Sequence, residues 1–336
     1  MAELWDGLKN AKLDKFDMLL SGYCPSAALV EQVGKIAREI RFRTTMKPGS
    51  FFWVLDPVLG DNGRIYVAED EVPVYKSLLK DADLILPNQF EVELLSDVKI
   101  HDIATMKQAI VKLHQAYQIP HIILTSIRLP PTATNTPTEG MENLSVSAKL
   151  SIIGSTRTSD LKPRLFRITV PALPVFFSGT GDMFAALILS RLRQAAAEAG
   201  VLNTANWRSP DEVPAVELPL AKAAEKVLAS MHAILKDTAT HHDSATEAWE
   251  QERKHELNEG AGKESADEKE VQRHLKLTRA AEVRVVRNVR ALLDPPNLGD
   301  FKAQPIDSDV ENGHTEEPDE LGVVKVAAGE GAVHQT

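Results

Sequence analysis

The sequence predicts an α/β fold in which a mostly parallel sheet is covered on both faces by helices. Strand and helix signals alternate over the first two thirds of the chain, and the strand segments are almost continuously apolar, as in sheets buried on both sides. The chain has 336 residues, of which 43% are hydrophobic and 26% charged. These proportions are typical of a soluble protein that can bury a sizeable core.

The predicted elements follow one another in a regular order. Four buried strands are predicted at residues 16–23, 51–60, 83–88 and 121–127. Apolar residues at helical spacing predict helices between these strands, at residues 27–40, 72–82 and 105–117. A turn-rich loop at 130–140 is followed by two segments that alternate like antiparallel edge strands, 144–153 and 165–173. Only helices are predicted after these strands, at residues 181–197, 219–236 and 276–292. The valines of the last helix are expected to face the core.

Two polar segments interrupt or follow this pattern. Residues 236–270 are charged and poor in apolar residues, which predicts a disordered or loosely helical insertion. Residues 306–336 are predicted to form an acidic, disordered tail. We therefore expect one domain over residues 1–305, and we expect both polar segments to be dispensable for its fold because neither buries much apolar surface.

The composition excludes several classes of function. The net charge is −10, and residues 307–336 alone carry eight acids and one lysine, so the rest is nearly neutral without a basic stripe. This distribution argues against nucleic acid as a partner. An apolar run of about 18 residues is absent from the sequence, so no membrane partner is expected. Cys24 is the only cysteine and is expected to be a buried thiol, which fits a cytoplasmic, or also nuclear, location.

The segment "FFSGTGDMFAALIL" raises the first functional question. It places Gly179, Thr180, Gly181 and Asp182 at the start of an apolar helix. Helix N-termini carry unpaired N–H groups and a partial positive charge, and glycines allow an anion to approach them. The segment therefore predicts a phosphate site with Asp182 beside it, although a glycine-rich turn with an ordinary first-turn acid is the simpler interpretation of this motif alone.

Polar residues at three strand ends favour the phosphate site. They are Asp56 and Asp61 in "LDPVLGD", Asn88 and Glu91 in "LPNQFEVELL", and Thr125 and Ser126 in "ILTSI". Ligands bind at the carboxyl ends of strands in open α/β sheets, and Mg²⁺ prefers carboxylate and amide oxygens. Taken singly, each of these residues has a simpler explanation. Asp56 can belong to a turn, Asn88 can cap a helix, and Thr125 can be a core residue of a strand.

In combination, the segments "DPVLGDNGRIYV", "LPNQFEVELL", "ILTSI" and "FSGTGDMFAALIL" resemble the signature segments of pyridoxal kinases. The likeness runs from about Glu3 to Leu189 and resumes weakly over 278–296. It implies the ribokinase-like fold, a three-layer α/β/α sandwich, for the kinase domain at 1–305. It also implies transfer of phosphate from ATP to the 5′-hydroxymethyl group of pyridoxal, pyridoxine and pyridoxamine. We also expect a homodimer.

The resemblance assigns roles to individual residues. Asp182 matches the catalytic aspartate, which takes the proton of the 5′-hydroxyl and also touches the substrate. Tyr23, in "LSGY", matches a tyrosine that lines the pyridine pocket. Asp61 and Glu91 match positions that hold Mg²⁺ with ATP. The residues that match ATP and phosphate contacts are Asp56, Tyr66, Asn88, Thr125, Ser126, Gly179, Thr180 and Gly181.

The sequence departs from the family pattern in two places. Leu86 replaces the threonine of the family's "TPN", which stands beside a monovalent cation, so activation by K⁺ is in doubt. The family also has a first βαβ unit and a lid ahead of the segment that begins here at Glu3. Without that unit we expect the chain to bind Mg·ATP weakly and to phosphorylate pyridoxal poorly or not at all.

Three functions are compatible with these observations. The first is pyridoxal kinase activity. The second is an inactive or regulatory relative that retains only nucleotide binding. The third, disfavoured by "PNQFE" and "LSGY", is phosphorylation of another hydroxymethyl heterocycle such as the thiamin-precursor pyrimidine.

Overall fold

The structure is a computed structural model and describes residues 1–127, 149–171, 173, 177–259 and 266–306. The strands in these ranges are Met18–Ser21 (β1), Phe52–Leu55 (β2), Gly60–Asp61 (β3), Arg64–Ile65 (β4), Leu84–Ile85 (β5), His121–Ile127 (β6), Lys149–Arg157 (β7), Pro163–Pro171 (β8) and Gln304–Pro305 (β9). The α-helices are Ala2–Asn10 (α1), Ala27–Thr44 (α2), Glu71–Leu78 (α3), Gln89–Ser96 (α4), Ile103–Tyr117 (α5), Thr180–Glu198 (α6), Pro219–Glu259 (α7), Ala266–Ala280 (α8) and Val289–Leu293 (α9).

Seven of these strands form one sheet in the order β1-β2-β5-β6-β7-β8-β9. The strands β1, β2, β5 and β6 are parallel, and β7, β8 and β9 are antiparallel to their neighbours. The parallel part requires a helical crossover between strands: α2 lies between β1 and β2, α3 between β2 and β5, and α4 with α5 between β5 and β6. The small β3–β4 hairpin stands apart as a second, two-stranded sheet.

Helices cover both faces of the large sheet. Along β2, Trp53 and Leu55 join a core cluster with α2, α3 and α5, whereas Phe52 and Val54 join a second cluster with α6 and α7. This alternation follows from the two-residue period of a strand. The predicted three-layer α/β/α sandwich with a mostly parallel sheet is therefore confirmed.

Several sequence-based boundaries differ from the structure. The helix predicted at 276–292 is broken: α8 ends at Ala280, and α9 begins only at Val289. Its valines do not form a core stripe, because Val286 is 86% exposed and Val289 is 49% exposed. The helix α1, the helix α4 and the β3–β4 hairpin were not predicted as elements. The predicted loop at 130–140 and residues 307–336 of the tail predicted at 306–336 lie outside the described residues.

The polar insertion is helical where the structure describes it. Helix α7 continues through residue 236 to Glu259, and α8 begins at Ala266. Thr238 is fully buried, and its hydroxyl accepts a hydrogen bond from the Arg284 backbone N–H at 3.2 Å. A deletion that starts at residue 236 would therefore remove interior contacts, so the expected dispensability does not extend to this part of α7. No helix within the described ranges is both long and apolar enough to cross a membrane.

Two buried histidines join α5 and β6 to the antiparallel strands. The ring nitrogens of His114 contact the Ile119 carbonyl and the Ser155 hydroxyl, both at 2.7 Å. His121 contacts the Thr156 hydroxyl at 2.9 Å and the Asn206 carbonyl at 2.8 Å. Burial lowers the pKa of each to about 4, so both are neutral in the folded protein at pH 7.

We expect the two buried histidines to destabilise the fold as pH falls from about 6.5 towards 4, whereas buried carboxyls with raised pKa values, Asp56 and Glu91, act in the opposite direction. The unfolded chain binds a proton at each histidine near pH 6.5, whereas the folded chain resists it down to about pH 4. From pH 7 to pH 5, each histidine then lowers the free energy of unfolding by about 2 kcal/mol. Urea unfolding at the two pH values measures this. Relative to the wild type, His114→Gln is expected to gain about 2 kcal/mol of stability at pH 5 compared with pH 7, whereas the exposed His101→Gln should follow the wild type; equal pH profiles in both variants would contradict the assignment.

Candidate active site

The N-terminus of α6 is open to an anion. Gly179 precedes the helix with φ +80°, a left-handed conformation that favours glycine, and it provides no side-chain cap. By contrast, α2, α4 and α5 are capped by the side chains of Ser26, Asn88 and Asp102. Within the described residues, no side chain therefore caps the first N–H groups of α6, and Gly179 and Gly181 of this turn are exposed.

A carboxylate anchors the β3–β4 hairpin to the start of α4. Glu91 is 4% exposed, and its two oxygens accept the backbone N–H groups of Asn88 at 2.8 Å and Leu59 at 2.9 Å, with Gly60 at 3.4 Å. The Asn88 side chain caps α4 through the Glu91 N–H and donates to the Gly60 carbonyl at 2.8 Å. The simpler interpretation of Asn88 as a helix cap is thus correct, and the same side chain also holds the hairpin.

An irregularity in β6 presents the hydroxyls at its end. The pairing of β6 with β7 shifts register between Leu124 and Ile127, at Thr125 and Ser126. The Thr125 N–H donates to the Pro87 carbonyl at 3.0 Å, which fixes the end of β6 beside the segment that follows β5. Thr125 is half-buried and Ser126 is exposed, so both hydroxyls lie at the carboxyl edge of the sheet rather than in its core.

These elements enclose one cavity of about 170 Å³ at that edge. The residues that line it are Asp56, Val58, Gly60, Asp61, Tyr66, Leu86, Asn88, Glu91, Thr125, Gly181 and Phe184. Among the described residues, its lining contains three carboxyl groups and no lysine or arginine. Two larger cavities lie along α7, but neither contains any of the residues predicted from the motifs.

The acids of the cavity repel one another. Burial, and then the charge of Asp182, raises the pKa of Asp56 to about 7. Burial likewise raises the pKa of Glu91 to about 8; the backbone N–H donors oppose this rise, and the charge of Asp56 adds to it. Asp182 therefore lies close enough to Asp56 to act on it. A bound cation would relieve this repulsion.

The structure brings together seven of the sequence-predicted residues in the cavity wall: Asp56, Asp61, Tyr66, Asn88, Glu91, Thr125 and Gly181. Gly179, Thr180 and Asp182 adjoin Gly181 in the first turn of α6, and Ser126 follows Thr125. Tyr23 is 62% exposed on the loop after β1 and does not line the cavity.

Sequence reasoning missed the apolar part of the wall. Val58 and Phe184 line the cavity beside the polar residues. Phe184 is two positions after Asp182 on α6, and it is buried, so the apolar run after the motif was a usable signal. Gly60 is required by the close approach of the Arg64 carbonyl, which would lie 2.1 Å from a Cβ atom there.

The donor set fits a magnesium ion that binds together with a nucleotide. The described residues contain no preformed group of three or more His, Cys, Asp or Glu side chains that could hold a metal alone. Mg²⁺ commonly uses one or two carboxylates, with phosphates and water as the other ligands. Asp61 is exposed at the cavity rim, and its oxygens accept the Asn62 N–H at 2.7 Å and the Asn62 amide at 3.0 Å.

Comparison with known sequences identifies similar proteins. The profile of the family described as phosphomethylpyrimidine kinase matches residues 31–151. A Schizosaccharomyces pombe protein named "Putative pyridoxal kinase" is 33% identical over 241 residues, which cover 70% of this chain and 67% of that protein. Human pyridoxal kinase is 32% identical over 200 residues, 56% of this chain and 58% of the human enzyme. The alignment with the human protein thus spans less than two thirds of its length.

Solved structures share the fold. Pyridoxal kinase from Leishmania donovani in complex with ADP and pyridoxamine superposes with a TM-score of 0.60 at 23% identity, covering 91% of this chain and 80% of that one. Pyridoxal kinase from Entamoeba histolytica superposes with a TM-score of 0.59 at 20% identity, covering 91% and 78%. At these identities the likeness establishes the ribokinase-like fold and nothing finer.

Proposed function

The chain belongs to the pyridoxal kinase family, and from this membership we propose that its site transfers the γ-phosphoryl group of ATP to the 5′-hydroxyl of pyridoxal. The observation that carries the proposal is the meeting of an uncapped glycine turn with three cavity-lining carboxyls and Asp182 at one sheet edge. An anion cradle beside acids that need a cation suits a magnesium-bound triphosphate.

The residues of the site divide the work of phosphoryl transfer. The backbone N–H groups at Gly179, Thr180 and Gly181 bind the γ-phosphoryl oxygens and stabilise their charge during transfer. Asp182, one residue further on, accepts the proton of the substrate hydroxyl while the oxygen of that hydroxyl forms a bond to the γ-phosphorus. The bond from the γ-phosphorus to the bridging oxygen breaks, and ADP leaves with that electron pair.

The remaining polar residues position the nucleotide. Asp61 and Glu91 would hold Mg²⁺, which neutralises phosphate charge when it binds with ATP. Asp56, Asn88, Thr125 and Ser126 lie along the same edge and contact the phosphates, with Tyr66 on the nucleotide side. Tyr23 lines the pyridine pocket from the loop after β1.

The test of this function is formation of pyridoxal 5′-phosphate by the purified chain with Mg·ATP and pyridoxal, followed at steady state beside calorimetric binding of Mg·ATP. Product formation that requires both substrates supports the proposal. Nucleotide binding without product would instead identify a relative that retains only the nucleotide site. Because the phosphomethylpyrimidine kinase profile matches 31–151, the assay includes the hydroxymethyl pyrimidine precursor of thiamin as a second substrate; preference for it would reassign the substrate.

We expect the rate to be independent of K⁺. Leu86 is 3% exposed and lines the cavity where the family has a threonine hydroxyl beside its monovalent cation. Hard cations require oxygen ligands, and an isobutyl group supplies none. Initial rates in K⁺ and in tetramethylammonium buffers should be equal, whereas Leu86→Thr should gain a K⁺ dependence. A wild-type rate that rises with K⁺ would show that backbone carbonyls alone build that site.

A further inference from the structure

The loop Gly22–Pro25 connects β1 to α2 and carries Tyr23. Both ends of this loop are fixed. Before it, the Ser21 hydroxyl accepts the indole N–H of Trp53 at 2.9 Å, and the Ser21 carbonyl accepts the Asp56 N–H at 2.8 Å. After it, the Ser26 hydroxyl caps α2. Between these anchors, the carbonyl oxygen of Gly22 accepts two side-chain hydrogen bonds.

Two buried side chains meet that carbonyl. The Tyr75 hydroxyl donates to it at 3.5 Å from α3, and the Cys24 thiol donates to it at 3.7 Å from within the loop. Tyr75 is 1% exposed and Cys24 is 6% exposed, so water does not replace either donor. The side chains of the loop therefore alternate: Cys24 points inward onto Tyr75, and Tyr23 points outward into solvent.

The chemistry beneath the loop keeps both donors protonated. Glu71 precedes Tyr75 by four residues on α3, so the two side chains share the buried face of that helix. The Glu71 Oε2 atom is buried and has no hydrogen-bond partner within the described ranges. Burial, with the negative charge of Glu71 as a further contribution, raises the pKa of the Cys24 thiol and of the Tyr75 hydroxyl.

We propose that Tyr75 is a positioning residue: its hydrogen bond to the Gly22 carbonyl holds the Gly22–Pro25 loop in place, and the position of this loop sets the affinity for pyridoxal. Tyr75 acts in this way from outside the pyridine pocket. This inference rests on the proposed function, in which Tyr23 lines the pyridine pocket. Tyr75 does not line the cavity at the sheet edge, so it acts through the Gly22 carbonyl. The helix that bears it, α3, follows the β3–β4 hairpin that carries Asp61.

The single cysteine of the chain provides a direct readout. Because Cys24 is the only thiol in the sequence and is buried by the closed loop, its rate of labelling with a maleimide reports how often the loop opens. Tyr75→Phe removes only the hydroxyl and keeps the buried ring. Loss of one hydrogen bond is expected to raise the labelling rate by about three- to tenfold. Cys24→Ala, which should take no label, verifies that the signal comes from this residue.

Tyr117→Phe is the matched control. Tyr117 packs against the same core cluster from α5, and within the described part of the chain its hydroxyl forms no hydrogen bond. This variant should label like the wild type. In the kinase assay Tyr75→Phe should raise the KM for pyridoxal by the same three- to tenfold factor, on the order of one hydrogen bond, while kcat and the KM for ATP stay unchanged.

Each outcome decides one of the two ideas. Faster labelling together with a raised pyridoxal KM supports the positioning role. Labelling equal to that of Tyr117→Phe, or faster labelling with an unchanged pyridoxal KM, overturns it. A fall in the melting temperature of Tyr75→Phe together with a rise in the KM for both pyridoxal and ATP would also overturn it, because that pattern indicates a general loss of stability of the fold. If the wild type makes no pyridoxal 5′-phosphate, the proposed function fails, and the labelling rates alone still decide whether Tyr75 holds the loop.

Discussion

Replacement of Asp182 by alanine is expected to lower kcat by at least about a hundredfold, the usual contribution of a positioned general base. Asp182 lies in the first turn of α6, directly after the glycine turn, and its charge acts on Asp56 across the site. In the proposed reaction the substrate hydroxyl would approach the phosphate beside this carboxylate, and no other acid shares that turn. Steady-state kinetics with pyridoxal and Mg·ATP measure the effect.

The affinity for Mg·ATP should change little in the same variant, because the N–H donors of the turn belong to the backbone. Asp182→Asn keeps the shape and removes the base, so it should be as slow as the alanine variant. Asp160→Ala, at an exposed acid paired with Lys162, serves as the control and should retain wild-type kcat. A near-normal kcat in both Asp182 variants would reject Asp182 as the base.

Replacement of Glu91 by alanine is expected to lower the free energy of unfolding by about 3–5 kcal/mol, since each buried donor left without an acceptor costs about 1–3 kcal/mol. The donors concerned are the backbone N–H groups of Asn88, Leu59 and Gly60, all held by this one carboxylate. The β3–β4 hairpin would also lose its anchor to α4. Urea unfolding measures the stability.

Because the hairpin carries Asp61 and Tyr66, the KM for Mg·ATP should rise in the Glu91→Ala variant as well. The control is Glu198→Ala, an exposed carboxylate on α6 whose contact with Lys226 spans 3.5 Å; it should change stability by less than about 1 kcal/mol. Wild-type stability combined with a lost response to Mg²⁺ would show that Glu91 acts only as a metal ligand and not as the anchor of the hairpin.

Local sequence patterns predicted the larger part of the fold. The apolar run around Phe52 and Val54 is a buried parallel strand, and the helical spacing over 27–40 marks most of α2. These elements were predictable because an apolar strand or an amphipathic helix must bury its residues in a sheet of this kind. Short or polar elements were not: the β3–β4 hairpin has two residues in each strand, and its pairing depends on Glu91 and Asn88 rather than on its own pattern.

The polar segment after residue 236 is a second case in which the local sequence pattern did not predict the structure. Its composition predicts weak structure, yet Thr238 and Ala239 are buried and α7 runs on to Glu259. Contacts with the later segment around Arg284 stabilise this part of the helix. Such contacts join residues about fifty positions apart, and a local pattern does not contain them.

By itself, the sequence identified the family and nominated the residues proposed for the chemistry: the glycine turn with Asp182, and the acids and amide at the strand ends. Only the tertiary structure decided how they are arranged. It placed Asp56, Glu91 and Gly181 around one cavity, left Tyr23 outside its wall, and set Tyr75 beneath the loop that carries Tyr23. The physical reason is that residue type fixes charge and hydrogen-bonding capacity, whereas distance, burial and the resulting pKa values arise only when strands far apart in the chain align at one edge of the sheet.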